Sequence, residues 1–320
     1  MEQSRRDFLG CMASTGVFAF AAQALADLKV FETGIADETV LKIEPLEIDI
    51  GLGKAFRALH FSDTHLNFFD AVDFSAVDRR KKDHFHRRWV RFPQAVQSFY
   101  ATLDYAKRKG LPLLHTGDLV DFVTDGNLRF LEHNLSGLGL HYAIGNHEYQ
   151  TRTPEHYDPD PAKPLAAMQR FFEGNLTVSS RIIGGVNFVA LDNARLKVRE
   201  EAIRGVKAEF ERPFPIVLMC HVPPFYTEKF LKNSAHSKYL TARGLGMDVK
   251  ESDYKPGANV WNSYDQKTRD FWTWAQAKPQ LKAILCGHTH IAEVDGFSET
   301  AQMYVAGGNY EGRAYEIVFK

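Results

Sequence analysis

Five short polar motifs each follow an apolar run, and this repeated pairing limits the possible folds more than any other feature of the chain. Apolar runs bounded by glycine or polar residues are typical of buried β-strands. Because side chains at strand ends can converge on one edge of a sheet, the pattern predicts an α/β fold with a shared polar site. The apolar runs are residues 56–61, 111–114, 142–144, 216–219 and 283–285. The motifs are Asp63-Thr64-His65, Gly117-Asp118-Leu119-Val120-Asp121, Gly145-Asn146-His147-Glu148, His221, and Gly287-His288-Thr289-His290.

The side chains in these motifs are carboxylates, imidazoles and one amide. Together they form a donor set that suits Mn, Fe, Zn or similar ions. One GDxxD or HxH pattern is a weak signal, since either also occurs in turns or around core histidines. All five in order, each at a strand end, favour a metal centre.

The ordered motifs resemble the pattern of the calcineurin-like metallophosphoesterase superfamily, which reads DxH, GDxxD, GNH[DE], a lone His and GHxH. The matching residues extend from Asp63 to His290, and no position of the pattern is missing. The resemblance implies a four-layer αββα sandwich, in which two mixed β-sheets pack together with helices on both outer sides. It also implies two metal ions, divalent or of mixed valence.

The resemblance further implies a role for each motif residue. His147 would face the substrate rather than a metal. The metal ligands would be Asp63, His65 and His290 for one ion, Asn146, His221 and His288 for the other, and Asp118 as the bridge.

Such a centre suits the hydrolysis of phosphoric esters. Two cations about 3.5–4 Å apart can clamp the attacking and leaving oxygens, and metal-bound hydroxide becomes available near neutral pH to attack phosphorus. A histidine that titrates near neutrality can protonate the departing alkoxide, so we predict His147 to be the general acid. Asp121 and Glu148 are candidates to orient the ligand imidazoles or His147, with loop stabilisation as the alternative.

The N-terminus carries a separate motif. The stretch Ser4-Arg5-Arg6-Asp7-Phe8-Leu9-Gly10 resembles the twin-arginine export signal, and a mildly apolar stretch follows it. Small residues permit cleavage after Ala24 or Ala26, so residues 1–26 are predicted to be a signal peptide. The mature protein is then expected in the periplasm or outside the cell, with the twin-arginine translocase as its export partner. An uncleaved anchor or a basic helix is the alternative.

Residues 27–320 are predicted to form a single catalytic domain, because one site draws its ligands from both ends of this range. Two segments, at about 66–91 and 226–262, exceed what the motifs need and are predicted to be insertions that overhang the site. The basic residues at 79–91 would grip the substrate or form a solvated helix. A net charge of −1 gives no indication of nucleic-acid or stable membrane binding.

Hydrophobic patterning predicts several elements outside the motifs. Helices are expected at 92–109 and 164–173, and Ser263 with Gln266 is expected to cap a later helix. The tail, at 291–297, 303–306 and 314–319, is expected to form a run of antiparallel strands. Cys220 and Cys286 are expected to be core thiols, although a disulfide between them stays open. The histidines expected to be buried in the core without a catalytic role are His60, His115 and His141.

Departures from better-known branches of the superfamily bear on the substrate. Phe122 follows Asp121, where protein phosphatases carry a phosphate-binding arginine, and purple acid phosphatases have tyrosine in place of Asp121. The stretch His221-Val222-Pro223-Pro224 is similar to secreted phosphodiesterases. We therefore expect a small phosphoester substrate, with diesters slightly favoured over monoesters of the acid-phosphatase or nucleotidase kind. A non-catalytic metal-binding scaffold is disfavoured because Asp118 and Asn146 are intact.

Overall fold

The computed structural model describes residues 38–68, 87–88, 90–135, 137–151, 160–224 and 264–320. The predicted signal peptide, at 1–26, lies outside the described residues, as do most of the insertion at 66–91 and all of that at 226–262. Every motif residue that is predicted to bind metal lies within the described ranges. The division into a signal peptide and one catalytic domain stays a prediction.

The first β-sheet has five strands. Their bounds are Lys42–Ile48 for β1, Phe56–Phe61 for β2, Leu113–His115 for β3, His141–Tyr142 for β4 and Arg313–Phe319 for β11. They lie in the order β1-β11-β2-β3-β4. β11 is antiparallel to β2 and parallel to β1. The three strands β2, β3 and β4 run parallel, so their carboxyl ends share one edge of the sheet.

The second sheet has six strands. Their bounds are Val178–Ile183 for β5, Val186–Leu191 for β6, Ile216–Met219 for β7, Leu281–Cys286 for β8, Glu293–Gly296 for β9 and Gln302–Val305 for β10. They lie in the order β5-β6-β7-β8-β10-β9. The central strands β6, β7, β8 and β10 are parallel, and both edge strands are antiparallel to their neighbours.

Three hydrophobic clusters separate four layers of sheets and helices. The helices are α1 at Ala95–Lys109, α2 at Asp125–Asn134, α3 at Ala162–Gln169, α4 at Glu200–Phe210 and α5 at Gln266–Gln276. The central cluster joins the facing sides of the two sheets, with Leu114 and Ile317 from the first and Phe188 and Val217 from the second. A second cluster lies under α1, α2 and α3, and a third under α4 and α5. The predicted αββα architecture with two mixed sheets is therefore confirmed.

Two helices were predicted with partly wrong bounds. α1 ends at Gly110 in the left-handed conformation, as predicted, but it begins at Ala95 rather than residue 92. Phe92 instead stacks on the ring of His65, with 4.4 Å between ring centres, so it packs against the metal centre. α3 begins two residues earlier than predicted and stops at Gln169, whose side chain donates to Gly174 O across the following turn.

The cap of α5 was assigned to the wrong residue. The carboxylate of Asp265 accepts from Thr268 N at 2.9 Å, so Asp265 is the N-cap. An aspartate is as good an acceptor for these unpaired amides as a serine. Ser263 lies outside the described residues.

The C-terminal strands were predicted as one antiparallel run, and this is only half correct. β9 and β10 form the expected antiparallel hairpin. β11 instead crosses to the other sheet, where Ile317 and Phe319 enter the central cluster between the sheets. A short 3-10 turn at Asn309–Glu311 makes this crossing, and Asn309 N donates to Ser62 O directly beneath the first motif.

Cys220 and Cys286 lie in the cluster beneath α4 and α5 as free thiols, with 3.7 Å between their Sγ atoms. The core-thiol prediction is confirmed for Cys220 and Cys286. Within the described ranges, no helix combines the length and the apolar composition needed to cross a bilayer.

Candidate metal centre

The five motifs follow the carboxyl ends of β2, β3 and β4 in one sheet and of β7 and β8 in the other. Backbone hydrogen bonds tie the motif loops together: Asp63 N donates to Gly117 O at 2.9 Å, and Gly287 N donates to His221 O at 3.0 Å. The ligands predicted from distant parts of the sequence are therefore brought to one place by the sheet edges.

The backbone of these loops is strained at the ligand positions. Among the described residues, six that are not glycine have positive φ, and five of them are predicted ligands. Such conformations cost free energy for side chains with a Cβ and persist where the surroundings impose them, often at functional sites. The five are Asp63 at 55°, His65 at 51°, Asp118 at 55°, His288 at 72° and His290 at 60°.

Two motif glycines are explained by close packing against ligands. A Cβ on Gly145 would lie 2.2 Å from Asp118 Oδ1, and one on Gly287 would lie 2.4 Å from Asp63 Oδ2. Any larger residue would displace these carboxylates. The glycines of GNHE and GHTH thus let the loops approach each other.

The first ligand cluster contains Asp63, His65 and His290 beside Asp118. His290 Nε2 is 3.2 Å from Asp63 Oδ1 and 2.9 Å from His65 Nε2. Asp63 Oδ1 is buried and has no hydrogen-bond partner, which is costly unless a cation binds it. His65 Nδ1 donates to Asp121 Oδ1 at 3.0 Å, so the lone pair of Nε2 is left facing the cluster.

The second cluster contains Asp118, His221 and His288, with Asn146 among them. His221 Nδ1 donates to Thr116 O at 2.7 Å, so Nε2 is the atom that faces Asp118 Oδ2 at 3.2 Å and Asn146 Oδ1 at 3.1 Å. His288 Nδ1 is 3.0 Å from the same amide oxygen. These acceptor atoms converge on one point, which is the arrangement a cation needs.

Asp118 lies between the two clusters. Its Oδ2 is 3.8 Å from His65 Nε2 and 3.2 Å from His221 Nε2, while its Oδ1 accepts from His147 N at 2.9 Å. The carboxylate therefore faces both groups of ligands, as a bridging residue would.

The electrostatics favour the metal-binding protonation states of Asp118, His65 and His288, whereas Asp118 holds His221 in its protonated form. Burial lowers the pKa of His65 to about 4 and that of His288 to about 3, so both rings are neutral near pH 7. Burial opposes ionisation of Asp118, but the nearby His221 and His147 hold its pKa well below the usual range. At His221 burial is outweighed by Asp118, which raises the pKa to about 10. The carboxylates thus attract positive charge into this pocket, and the residues present fit two metal ions.

Asp121 lies behind the first cluster and joins two imidazoles. Besides accepting from His65, its Oδ1 lies 3.2 Å from His147 Nδ1, and its backbone O accepts from the same Nδ1 at 3.0 Å. Asp121 thus contacts both imidazoles, and its orienting role stays a prediction. Arg88 pairs with both carboxylate oxygens of Asp121.

The burial of Arg88 and its contact with Asp121 were not predicted from the sequence. The basic stretch was predicted to face the substrate or solvent, yet Arg88 is buried whereas Arg87 and Arg91 are exposed. One buried arginine among exposed ones produces no hydrophobic periodicity, so the sequence contains no signal that Arg88 would be buried. Residues 79–86 of the same stretch lie outside the described residues.

Glu148 contacts backbone amides in two of the motif loops. It accepts from three backbone amides, those of Asp118 at 3.0 Å, Val120 at 3.1 Å and Gly145 at 2.8 Å. These contacts fasten the GDxxD loop to the GNHE loop. They match the alternative of a loop-stabilising carboxylate.

Asn193 also holds a ligand in place. Its Oδ1 accepts from the backbone N of His221 and of Val222, both at 3.1 Å, and its Nδ2 donates to Val222 O at 2.6 Å. The side chain therefore clamps the His221 loop from both sides. The only signal in the sequence was its position just after β6, at the same edge as the motifs.

The remaining core histidines satisfy the expectation of structural roles. His115 Nδ1 accepts from Gly117 N at 3.1 Å, which leaves Nε2 to donate to Thr64 Oγ1 at 3.0 Å, between the ligands of the first motif. His60 contacts Thr116 Oγ1, and His141 Nε2 donates to Phe188 O at 2.9 Å. All three are buried.

A family model for calcineurin-like phosphoesterases matches residues 56–292. This chain belongs to that family. The family is one of metal-dependent phosphoesterases, and the buried His and Asp clusters are consistent with a dinuclear metal centre. No curated protein was found to match the chain.

Solved structures show more distant similarity. A dimetal phosphatase from Danio rerio is 11% identical with a TM-score of 0.47, over 80% of this chain and 88% of that one. A phosphopantetheinyl hydrolase from Mycobacterium tuberculosis is 11% identical with a TM-score of 0.38, over 84% and 92%. A 5′-nucleotidase from Candida albicans is 12% identical with a TM-score of 0.36, over 84% of this chain but 48% of that one. This chain thus spans about half the length of the nucleotidase. At these identities nothing follows about its own substrate.

Proposed function

We propose that this protein hydrolyses small phosphoric esters at a centre of two metal ions. The observation that carries the proposal is the position of Asp118, whose Oδ2 lies 3.8 Å from His65 Nε2 in one cluster and 3.2 Å from His221 Nε2 in the other. Asp63, His65 and His290 would hold one ion, and Asn146, His221 and His288 the other. Two cations held there would make a hydroxide nucleophile available near neutral pH and neutralise the phosphate charge.

The pattern of burial indicates the side from which the substrate approaches. The side chains of Asp63, His65 and His221 are inaccessible to solvent. Those of His147 and His290 are partly open, at 16% and 10%, and Asn146 and His288 each retain 9%. The ester would therefore meet the centre on the face that carries His147.

His147 is the proposed general acid. Both acceptors near its Nδ1 belong to Asp121, so Nδ1 keeps a proton and Nε2 is the atom that can donate to the leaving group. Nε2 lies 3.8 Å from Asp118 Oδ2, at the junction of the two clusters. Burial lowers the pKa of His147, but Asp118 and Asp121 together raise it, which supports a protonated ring.

Phosphodiesters are the favoured substrate class within this proposal. Phe122 is buried at the position where family members that are protein phosphatases carry an arginine. A site that binds a monoester needs more positive charge than one that binds a diester, because the monoester carries one more negative charge near neutral pH. Monoesters remain the alternative substrate class.

A panel of matched esters tests the function and the substrate class together. The purified protein, supplied with Mn, Fe or Zn, should cleave a nitrophenyl diester faster than the monoester of the same leaving group. Asp118→Asn removes the charge where both cations meet and should lower the rate by two orders of magnitude or more. If Asp118→Asn binds two metals and keeps near-native turnover, the assignment of Asp118 as the bridging ligand is wrong. If the wild type binds metal but cleaves none of the esters, the alternative of a non-catalytic metal-binding scaffold is favoured.

Export by the twin-arginine route is a further part of the proposal, supported by Arg5 and Arg6 in the N-terminal motif. Changing both to lysine keeps the charge but alters the pair that the translocase recognises. Precursor should then accumulate in the cytoplasm while the wild type is processed and reaches the periplasm. Unchanged processing of the double variant would point to another route or to an anchor.

A further inference from the structure

Arg88 is buried beside the metal centre and pairs with Asp121 through two hydrogen bonds. Its Nε donates to Oδ2 at 2.9 Å, and its Nη2 donates to Oδ1. The planar guanidinium fork matches a carboxylate in a way that a lysine ammonium cannot. The pair therefore fixes the rotation of the carboxylate as well as balancing its charge.

Asp121 connects Arg88 to two histidines with different tasks. Its Oδ1 accepts from His65 Nδ1 at 3.0 Å and lies 3.2 Å from His147 Nδ1. The carboxylate is fully buried, so its charge needs a partner in the protein. If the carboxylate turned, His65 would lose the acceptor at its Nδ1, and His147 would keep only the backbone O of Asp121.

Phe92 provides a second connection between Arg88 and His65. The guanidinium carbon of Arg88 lies 4.7 Å from the centre of the Phe92 ring. The ring of His65 also stacks on Phe92, with 4.4 Å between centres and 7° between planes. Arg88 therefore contacts two groups that hold His65, one at its Nδ1 and one at its face.

We infer that Arg88 is a positioning residue, which acts through Asp121 to orient His65 toward the metal and His147 toward the leaving group. Its effect on His147 rests on the proposed phosphoesterase function. Its effect on metal binding by His65 does not depend on turnover. Arg88 thus gives the segment after the first motif a role in holding residues of the centre.

The test compares Arg88→Gln in the wild type and in an Asp121→Asn background. In the wild type, kcat for an alkyl phosphoester should fall about 10–100-fold with little change in KM, and metal content should fall as well. The loss should be smaller for a nitrophenyl ester, whose leaving group needs no proton. In the Asp121→Asn background, where the partner charge is gone, Arg88→Gln should change kcat by less than about threefold.

Controls separate this role from a loss of folding. Arg204→Gln removes an exposed arginine from its pair with Glu200 on α4 and should leave kcat and metal content unchanged. The double variant leaves no unpaired charge in the core, so its thermal unfolding should stay cooperative. Metal content of the single variant is read independently of activity.

Equal losses of kcat in both backgrounds would overturn the inference, because Arg88 would not then act through Asp121. A rise in KM with unchanged kcat would overturn it too, by making Arg88 a substrate-binding residue. If the wild type cleaves no phosphoester, the proposed function fails instead. The metal content of Arg88→Gln then decides the inference: a fall supports it, and an unchanged value overturns it.

Discussion

Individual residues at this centre have backbone and side-chain geometries that serve the site at a cost to stability. Asp63 and Asp118 lie in the left-handed region, and Asp63 keeps a buried oxygen without a hydrogen bond. Neither property can be predicted from the sequence, because a motif gives the residue types and their spacing but not the backbone conformation or the hydrogen bonds. Each is accounted for if a cation compensates the strain and the unpaired oxygen.

A prediction at this scale concerns the proton that His147 would donate. His147→Asn should bind both metals, yet slow the hydrolysis of an alkyl ester by about 10²–10⁴-fold, the range for a lost acid–base group. A nitrophenyl ester should be much less affected, because its leaving group is already a stable anion. Steady-state rates on both esters, with metal content measured in parallel, check this prediction.

Other outcomes would give His147 another role. An equal loss on the two esters would assign the ring to phosphate positioning or charge stabilisation. Loss of a metal would make His147 a structural residue. Either result would remove the general acid and leave the metal centre standing.

Whole elements were predicted best where local pattern decides their limits. Both ends of β7 and the last residue of α1 were predicted to the residue, because an apolar run marks the strand and Gly110 follows the helix. The sheet that β11 joins was not predicted, because the residues of a strand do not determine which sheet it enters. Its place depends on Ile317 and Phe319 packing against the opposite sheet, a contact between distant segments.

The burial of one histidine at a contact between two strands should make stability depend on pH. His141 on β4 donates from Nε2 to Phe188 O on β6, linking the two sheets. Burial lowers its pKa to about 4, against about 6.5 in the unfolded chain. As the pH falls from 6.5 to 4, the unfolded chain gains a proton that the folded protein excludes, so stability falls. For this residue the loss is at most about 3 kcal/mol.

The variant His141→Gln isolates this contribution. Glutamine can still donate to Phe188 O but cannot take up a proton, so stability should fall less steeply below pH 6.5 than in the wild type. Denaturant unfolding of both proteins across this range, with a metal chelator present, measures the difference. The other buried histidines contribute equally to both proteins and cancel. Parallel curves for the two proteins would contradict the assignment.

At the scale of the whole molecule, the four layers were implied by the family resemblance, whereas the order of the motifs and the apolar runs is enough to predict an α/β fold and the convergence of the ligands. This is possible because the ligand-bearing loops follow parallel strands, whose carboxyl ends must share an edge. The roles of Arg88 and Asn193 are not predictable in this way. They come from contacts made across the fold, and a single polar residue carries no pattern that reports such contacts.

The central claim is that Asp118 lies between two metal ions, and anomalous diffraction from crystals of the metal-loaded protein tests it most directly. The account predicts two anomalous peaks about 3.5–4 Å apart, with an oxygen of Asp118 contacting each. One peak should lie among Asp63, His65 and His290, and the other among Asn146, His221 and His288. A single peak, or peaks away from Asp118, would contradict the claim.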